Sequence, residues 1–293
     1  MNQISTRYVT EGEACYEQYV LTDPAAKTEL VITPERGGMI TGFALDGDEY
    51  IWVRRPNFSE CNRPRFAVPI LFPSCSNPDG GVHIFDGKPY PMETHGLADL
   101  CPWEVDSVGP DGVTLMLQST PLTKFLYPFD FTLLVTYNLA GRTATIDLTV
   151  INDGDKPMPF SFGYHPYFVA SKLENVDFDI HCATCSEEAK GDQPAAPEKI
   201  TLTHKEGADN SIRLLTGVEF PMVFTDRGNG HKVTVDADDS FTNGVLWQQD
   251  AESFVCMEPW NGWANSVNEE GKHEVLEPDE AMTSTWSITI DKI

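Results

Sequence analysis

The chain has 293 residues, of which 41% are hydrophobic and 22% are charged, so it can bury a substantial core and is too apolar to be disordered. Its 20 basic and 45 acidic side chains give a net charge of −25, which repels nucleic acids and anionic membranes. No segment has the length and apolarity of a membrane span or of a signal-peptide core. We therefore expect a cytoplasmic protein that binds neither nucleic acid nor membrane.

Short segments with alternating apolar residues predict β-strands along the chain. Turn sequences such as PDG at 110–112 and NDGD at 152–155 separate them. No window keeps a 3.6-residue apolar period, so helices should be few and short. The pattern favours an all-β antiparallel sandwich in one domain over residues 1–293. The predicted strands are residues 28–33, 112–119, 131–139, 143–152, 231–237, 244–249 and 284–290.

The cysteines are odd in number, seven, and have no regular spacing, which disfavours a secreted disulfide framework. Cys182 and Cys185 form a single CxxC pair, without the second pair that is typical of structural zinc sites. We therefore predict no metal site.

Glu258 follows the apolar segment FVCM and precedes Pro259. Burying a lone carboxylate is costly, so such a residue is usually paired or functional, and burial raises its pKa toward the range of a general base. We expect Pro259 to end the strand and to leave Glu258 at the rim of the sheet. The alternative is a solvated strand end.

His165 lies among five aromatic residues in the segment FSFGYHPYF, just after a predicted strand. It is either a proton donor beside an aromatic floor or a core histidine bonded to a carbonyl group. His95, which precedes Gly96, is either a site residue or a turn residue. The remaining histidines lie in polar segments and are expected on the surface; they are His83, His181, His204, His231 and His273.

Taken together, these segments resemble the aldose 1-epimerase (galactose mutarotase-like) family. The most specific match is INDGDKPMPFSFGYHPYF at 151–168, which resembles the family pattern N.g..pmPf..G.HpYF. RFAVPILFP at 65–73 resembles RGGIPILFP, DGKPYPMETHG at 86–96 resembles G..Y.L..HG, and FVCMEPWNG at 254–262 resembles fvCiEPWtg. The matches occur in family order over most of the chain.

The resemblance implies a large antiparallel β-supersandwich that interconverts the α and β anomers of a free hexose without a metal or redox cofactor. By motif, it implies that Glu258 takes the proton of the C1 hydroxyl and that His165 protonates the ring oxygen. It also implies that His95 and Arg65 bind sugar oxygens. Opening the sugar ring requires the removal of one proton from the sugar and the donation of another to it, which suits a carboxylate and a histidine.

Three further residues are candidates for substrate binding. Tyr167 and Trp260 are expected to form an aromatic floor against the sugar. Asp226, in the segment VFTDRGNG, is a candidate contact whose simplest alternative role is in a turn.

The segment HGLAD at 95–99 departs from the HGFAR of many relatives, so Asp99 stands where they have an arginine. Arg63 and Arg65 leave open a hexose-6-phosphate 1-epimerase. A non-catalytic carbohydrate-binding protein on the same fold is the other alternative, although retention of an acid and a base together favours an enzyme. The resemblance leaves open the preferred sugar and the choice between monomer and homodimer.

Overall fold

The computed structural model describes residues 3–53, 63–110, 112–187, 193–203, 208–249 and 252–293. Within these ranges the chain forms 22 strands and short 3-10 helices. The first eleven strands are β1 (Gln3–Glu11), β2 (Ala14–Asp23), β3 (Thr28–Thr33), β4 (Met39–Leu45), β5 (Asp48–Glu49), β6 (Ile70–Leu71), β7 (Val82–Phe85), β8 (Lys88–Pro91), β9 (Glu104–Val108), β10 (Gly112–Gln118) and β11 (Phe131–Ala140).

The other eleven strands complete the sheets. They are β12 (Thr143–Asn152), β13 (Met158–Phe160), β14 (Gly163–Tyr164), β15 (Tyr167–Val169), β16 (Val176–Ser186), β17 (Asn210–Asp226), β18 (His231–Ala237), β19 (Asn243–Gln249), β20 (Phe254–Trp260), β21 (Glu274–Leu276) and β22 (Ala281–Lys292). The 3-10 helices of the described residues are Asp79–Gly81, Ala98–Leu100, Thr123–Phe125, Leu173–Asn175 and Ser266–Asn268.

The prediction of an all-β fold with few short helices is confirmed. Each of the seven predicted segments is a strand, and the bounds agree within one residue for six of them. The seventh, 284–290, is extended at both ends into β22. In β12, half-buried and buried residues alternate at every position, as expected for a strand with one face on the core.

Two sheets dominate the described part of the chain, and all pairings between named strands are antiparallel. The smaller sheet has the order β1-β2-β3-β4-β5. The larger has 13 strands in the order β6-β14-β20-β19-β17-β18-β22-β12-β11-β10-β9, with β15 paired to β20 and β16 to β17. Short pairs β13-β21 and β7-β8 complete the β-supersandwich.

The smaller sheet packs against the β11–β12 region of the larger one. Leu30 and Phe43 share one apolar core with Val135 and Leu148. The Tyr137 hydroxyl donates a hydrogen bond to the Gly38 carbonyl oxygen at 2.6 Å, which ties the sheets together. Within the described residues, none of the helices has the length and apolarity needed to span a membrane.

The surface prediction for the histidines is wrong at two positions. His83 is fully buried, and His231 is buried with its ring stacked on Tyr50 at 4.0 Å between centroids. His181 is exposed and His273 is half-buried, whereas His204 lies outside the described residues. A neutral imidazole packs like other aromatic rings, so polar neighbours in sequence do not keep it at the surface.

Candidate active site

The site forms where β14 and β15 both pair with β20. Gly163 of β14 lies opposite Trp260, and Tyr167 of β15 lies opposite Cys256. His165 falls in the gap between the two short strands, followed by a proline that has no N–H to donate. Its own N–H donates to the Pro69 carbonyl oxygen at 3.0 Å. The interrupted ladder therefore places His165 next to the middle of β20.

Glu258 and His165 are in contact at this gap. The His165 Nε2 lies 3.5 Å from Glu258 Oε1, and the Trp260 indole N–H donates to Glu258 Oε2 at 3.1 Å. Only 1% of Glu258 is exposed. Geometry therefore places a carboxylate and a histidine side by side, with the carboxylate held in place by an indole.

The expectation that Pro259 ends the strand is wrong. The strand continues to Trp260, because β19 pairs with β20 through both Pro259 and Trp260. On the other side of β20, Pro259 lies in the gap between β15 and β14, where a missing N–H breaks no ladder bond. Glu258 therefore lies inside the sheet, on the floor of the site, and not at the rim.

Aromatic rings fix the orientation of the histidine. The Tyr167 ring stacks on the His165 ring at 4.6 Å between centroids, with 10° between their planes. Trp247 meets both rings edge-on, at 5.9 Å from His165 and 6.2 Å from Tyr167. These contacts leave the imidazole little freedom to turn away from Glu258.

Burial disfavours charge on both members of the pair. It raises the pKa of Glu258 well above its ordinary value and lowers the pKa of His165 to about 3. Both shifts favour the uncharged form of each group. Passing one proton from the carboxyl group to the ring, which a polar ligand can favour, needs no net proton from solvent.

His95 approaches the pair from a loop. Its ring centroid lies 5.2 Å from that of His165 and 5.8 Å from that of Trp260. The next residue, Gly96, has φ = 80°, and a Cβ there would lie 2.1 Å from the Phe72 carbonyl oxygen. Burial lowers the pKa of His95 well below its ordinary value, so the ring is a neutral hydrogen-bonding group. Glycine at position 96 is therefore what lets the loop carry His95 into the site.

The two arginines of the site differ in how they are engaged. Arg63 Nη1 donates to both carboxylate oxygens of Asp99, at 2.6 and 2.7 Å, and Nη2 donates to the Gly96 carbonyl oxygen at 2.8 Å. Burial raises the pKa of Asp99 to about 7, and the Arg63 charge opposes that shift. Arg65 is exposed and has no hydrogen bond or ion pair with the described residues. Arg65 is thus the arginine that remains open to a ligand.

These side chains line one cavity of about 820 Å³. Six of the seven predicted site residues lie on its wall, namely Glu258, His165, His95, Arg65, Tyr167 and Trp260. Trp247 and Asn210 also line it and were not predicted. Trp247 belongs to a predicted strand, but alternation alone does not say which face of a strand meets a ligand.

Asp226, the seventh predicted residue, does not line this cavity, so its assignment to substrate binding is corrected. Its carboxylate is fully buried at the end of β17. It accepts hydrogen bonds from the N–H and hydroxyl of Ser171, at 2.6 and 2.5 Å, and from the Gly228 N–H at 2.8 Å. Asp226 stabilises the turn that follows β17, as its alternative interpretation states.

One group among the described residues has metal-ligand geometry. Single ligand atoms of His165, Cys256 and Glu258 lie within 4.8 Å of one another. Burial raises the pKa of the Cys256 thiol well above its ordinary value, and a protonated thiol is a poor metal ligand.

Comparison with known proteins places this arrangement in a family. Residues 17–289 match the family described as Aldose 1-epimerase. The chain belongs to the aldose 1-epimerase family. The curated protein LacX (chromosomal) of Lactococcus lactis subsp. lactis is 26% identical over 286 residues, which cover 87% of this chain and 94% of that protein.

Solved structures share the fold of this chain. The Slr1438 protein of Synechocystis sp. PCC 6803 is 27% identical, with a TM-score of 0.87 over 94% of this chain and 96% of that one. The galactose mutarotase related enzyme of Lactobacillus acidophilus is 22% identical, with a TM-score of 0.78 over 94% and 97%. At 22% identity, the similarity to the Lactobacillus acidophilus enzyme is one of fold alone.

Proposed function

We propose that this member of the family is an aldose 1-epimerase that interconverts the α and β anomers of a free hexose. The observation that carries the proposal is the contact between Glu258 and His165, a carboxyl group and an imidazole placed to exchange protons, on the floor of a polar and aromatic cavity. A protein that only binds sugar has no need of such a matched pair, which disfavours the non-catalytic alternative.

In the proposed reaction, the Glu258 carboxylate takes the proton of the C1 hydroxyl while the His165 imidazolium gives a proton to the ring oxygen. The bond between C1 and the ring oxygen breaks, and C1 becomes an aldehyde. Rotation about the C1–C2 bond presents the other aldehyde face, and the reverse proton transfers close the ring. One proton is taken and one is returned, so no oxidant, reductant or net proton is required.

The remaining wall residues have binding roles in this scheme. Arg65 donates to sugar hydroxyls, and neutral His95 hydrogen-bonds to the ring oxygen region. Tyr167 and Trp260 give the apolar face of the hexose a flat aromatic surface. The Trp260 indole N–H also holds the carboxylate of Glu258 toward C1.

The charges around the cavity favour an unphosphorylated substrate. Asp99 already neutralises Arg63, and the exposed Glu93 carboxylate lies on the cavity wall, 3.8 Å from the same guanidinium. Arg65 alone then faces a dianionic phosphate. A phosphate group is usually held by several donors of a preorganised basic site, so a neutral hexose fits better.

Arg65→Ala tests this substrate class. If Arg65 holds ring hydroxyls, kcat/KM should fall about tenfold for glucose and for glucose 6-phosphate alike. Wild-type enzyme should favour the free sugar. Exchange NMR of anomer interconversion at near-physiological salt measures kcat/KM for each sugar, in wild type and in Arg65→Ala.

Arg142→Ala is the matched control, because this exposed arginine pairs with Asp291 and is not part of the cavity wall. A wild-type preference of more than about tenfold for the 6-phosphate, lost selectively in Arg65→Ala, would assign the enzyme to hexose 6-phosphates instead.

The pH dependence of kcat/KM tests the shared proton. The competent form of the Glu258–His165 pair carries one proton. A second proton binds to the pair only in strong acid, because the pKa of His165 is lowered to about 3. The first proton stays bound at higher pH than on an ordinary carboxyl group, because the pKa of Glu258 is raised. Because a second proton binds only near pH 3, we expect kcat/KM to fall less than about twofold when the pH is lowered from about 6.5 to 5. A fall of about tenfold on that lowering of pH, as for an imidazole of ordinary pKa that must be neutral, contradicts the scheme.

We also propose a cytoplasmic location. The described cysteines, Cys15, Cys75, Cys101, Cys182, Cys185 and Cys256, form no disulfide with one another, which fits a reducing compartment. A monomer or homodimer without a nucleic-acid or membrane partner remains the proposed state.

A further inference from the structure

His95 reaches the candidate active site on a turn whose backbone is unfavourable by itself. Its φ is 69° and that of Gly96 is 80°, so two consecutive residues are left-handed, and the first of them carries a large side chain. Left-handed backbone is uncommon for residues other than glycine, and it persists where the surrounding structure imposes it. The turn therefore needs neighbouring groups that hold it in place.

The ring of His95 does not supply that support. Its Nδ1 atom is buried and has no hydrogen-bond partner among the described residues. The ring meets those of His165 and Trp260 edge-on, with 86° and 72° between the planes. The position of the imidazole therefore depends on where the backbone of His95 and Gly96 lies.

Arg63 is the side chain that holds this turn. Its Nη2 donates to the Gly96 carbonyl oxygen at 2.8 Å, at the end of the left-handed pair. Its Nη1 donates to both carboxylate oxygens of Asp99, at 2.6 and 2.7 Å. One planar guanidinium thus joins the turn to a residue three positions further along the chain.

Asp99 can anchor the guanidinium because the backbone around it is held from two sides. It lies in the 3-10 helix Ala98–Leu100, and only 1% of it is exposed. The Trp103 indole N–H donates to the carbonyl oxygen of Ala98 at 3.0 Å. On the other side, Gly37 packs so closely that a Cβ there would lie 2.5 Å from the Asp99 carbonyl oxygen. The helix is thereby fixed against the turn between β3 and β4.

These contacts direct Arg63 toward the loop and away from a sugar. Both of its terminal nitrogens are engaged by protein oxygens, and its side chain is only 16% exposed. Arg65, two residues later, is exposed on the same cavity wall. The neighbouring arginines therefore divide the work, one supporting the loop and the other facing the ligand.

We propose that Asp99 is a positioning residue, which orients Arg63 so that Arg63 holds the turn that carries the His95 ring toward the substrate. The inference rests on the proposed function in one respect, that His95 has a sugar to bind. With so little of its surface exposed, Asp99 acts through Arg63 and not on the sugar itself.

NMR of the histidine rings tests the proposal without reference to turnover. Asp99→Ala removes the anchor, and Asp99→Asn keeps its shape with one acceptor oxygen in place of two. The His95 ring Cε1–H resonance, assigned by its absence in His95→Gln, should shift or broaden in Asp99→Ala and move less in Asp99→Asn. The resonances of His181 and His273, which do not line the cavity, should stay in place.

Asp291→Ala is the matched control, because it also removes the carboxylate partner of an arginine, Arg142, at a pair that is not part of the cavity wall. The His95 resonance should not move in this variant. Its kcat/KM for glucose should stay within about twofold of wild type.

A double-mutant cycle adds the kinetic test. For anomer interconversion of glucose, Asp99→Ala should lower kcat/KM about tenfold in the wild-type background. In the His95→Ala background the same substitution should lower it less than about twofold, because no ring is left to position. An equal loss in the two backgrounds overturns the inference.

A folded Asp99→Ala protein whose His95 resonance is unchanged also overturns it. If Asp99→Ala does not fold, Asp99→Asn and Arg63→Lys decide, since one lysine nitrogen cannot reproduce the fork that holds both Asp99 and the Gly96 carbonyl group. An unmoved resonance in both variants then refutes the proposal. If wild-type protein does not epimerise glucose, the proposed function fails, and the NMR comparison still decides whether Asp99 holds His95 in place.

Discussion

Glu258→Gln should lower kcat for anomer interconversion by ~10²–10⁴-fold, the usual effect of removing a general base. The amide keeps the shape of the side chain, and its oxygen can still accept the Trp260 indole N–H, but it cannot take a proton from C1. Because the folded protein buries this carboxyl group at a cost, the variant should be at least as stable as wild type. Exchange NMR gives the rate, and thermal unfolding checks stability.

Glu93→Gln is the matched control for that substitution. Glu93 lines the same cavity, but 80% of its side chain is exposed and it does not touch His165. The kcat of Glu93→Gln for anomer interconversion should remain within about twofold of wild type. A Glu258→Gln protein that equilibrates anomers at the wild-type rate would remove Glu258 from the mechanism.

Gly96→Ala should cost about 2–4 kcal/mol of unfolding free energy and most of the activity. The backbone at Gly96 has φ = 80°, which an L side chain disfavours, and the new Cβ would lie 2.1 Å from the Phe72 carbonyl oxygen. The loop must move to relieve that contact, and His95, one residue earlier, moves with it. Denaturant unfolding measures the stability loss, and kcat/KM of the folded fraction measures displacement of the site.

Gly47→Ala is the control that measures the cost of a positive φ without a close Cβ contact. Gly47 has φ = 84°, and a Cβ there meets no atom within 4 Å. This variant should therefore cost only about 1 kcal/mol and leave kcat/KM unchanged. Equal stability losses for the two variants would show that the contact with Phe72 is relieved without moving the loop, and the account of how Gly96 positions His95 would be wrong.

The strands predicted correctly are those with one face on the core and a clear alternation, as in β12. Strands β1 and β17 were missed for different physical reasons. Every residue of β1 is exposed or half-buried, so hardly any apolar period marks it. In β17, the alternation is broken where Gly217 adopts φ = 59° and where the pairing of β16 with β17 shifts register. Backbone pairing with neighbouring strands, and not local preference, holds these segments extended.

For the site, local sequence determined that Glu258 follows an apolar segment and that His165 lies among aromatic residues before a proline. It could not separate Glu258, at the floor of a cavity, from Asp226, which is equally buried but satisfied by turn hydrogen bonds. That difference depends on which partners surround each carboxylate in space.

Local sequence patterns predict the set of strands that alternate and the residue types able to exchange protons. Contacts between distant segments place β14 and β15 both against β20, leaving a gap that brings His165 to Glu258. The physical reason is that alternation is a property of neighbouring residues, whereas the partner strand, its register and its buried face depend on contacts between residues far apart in the chain.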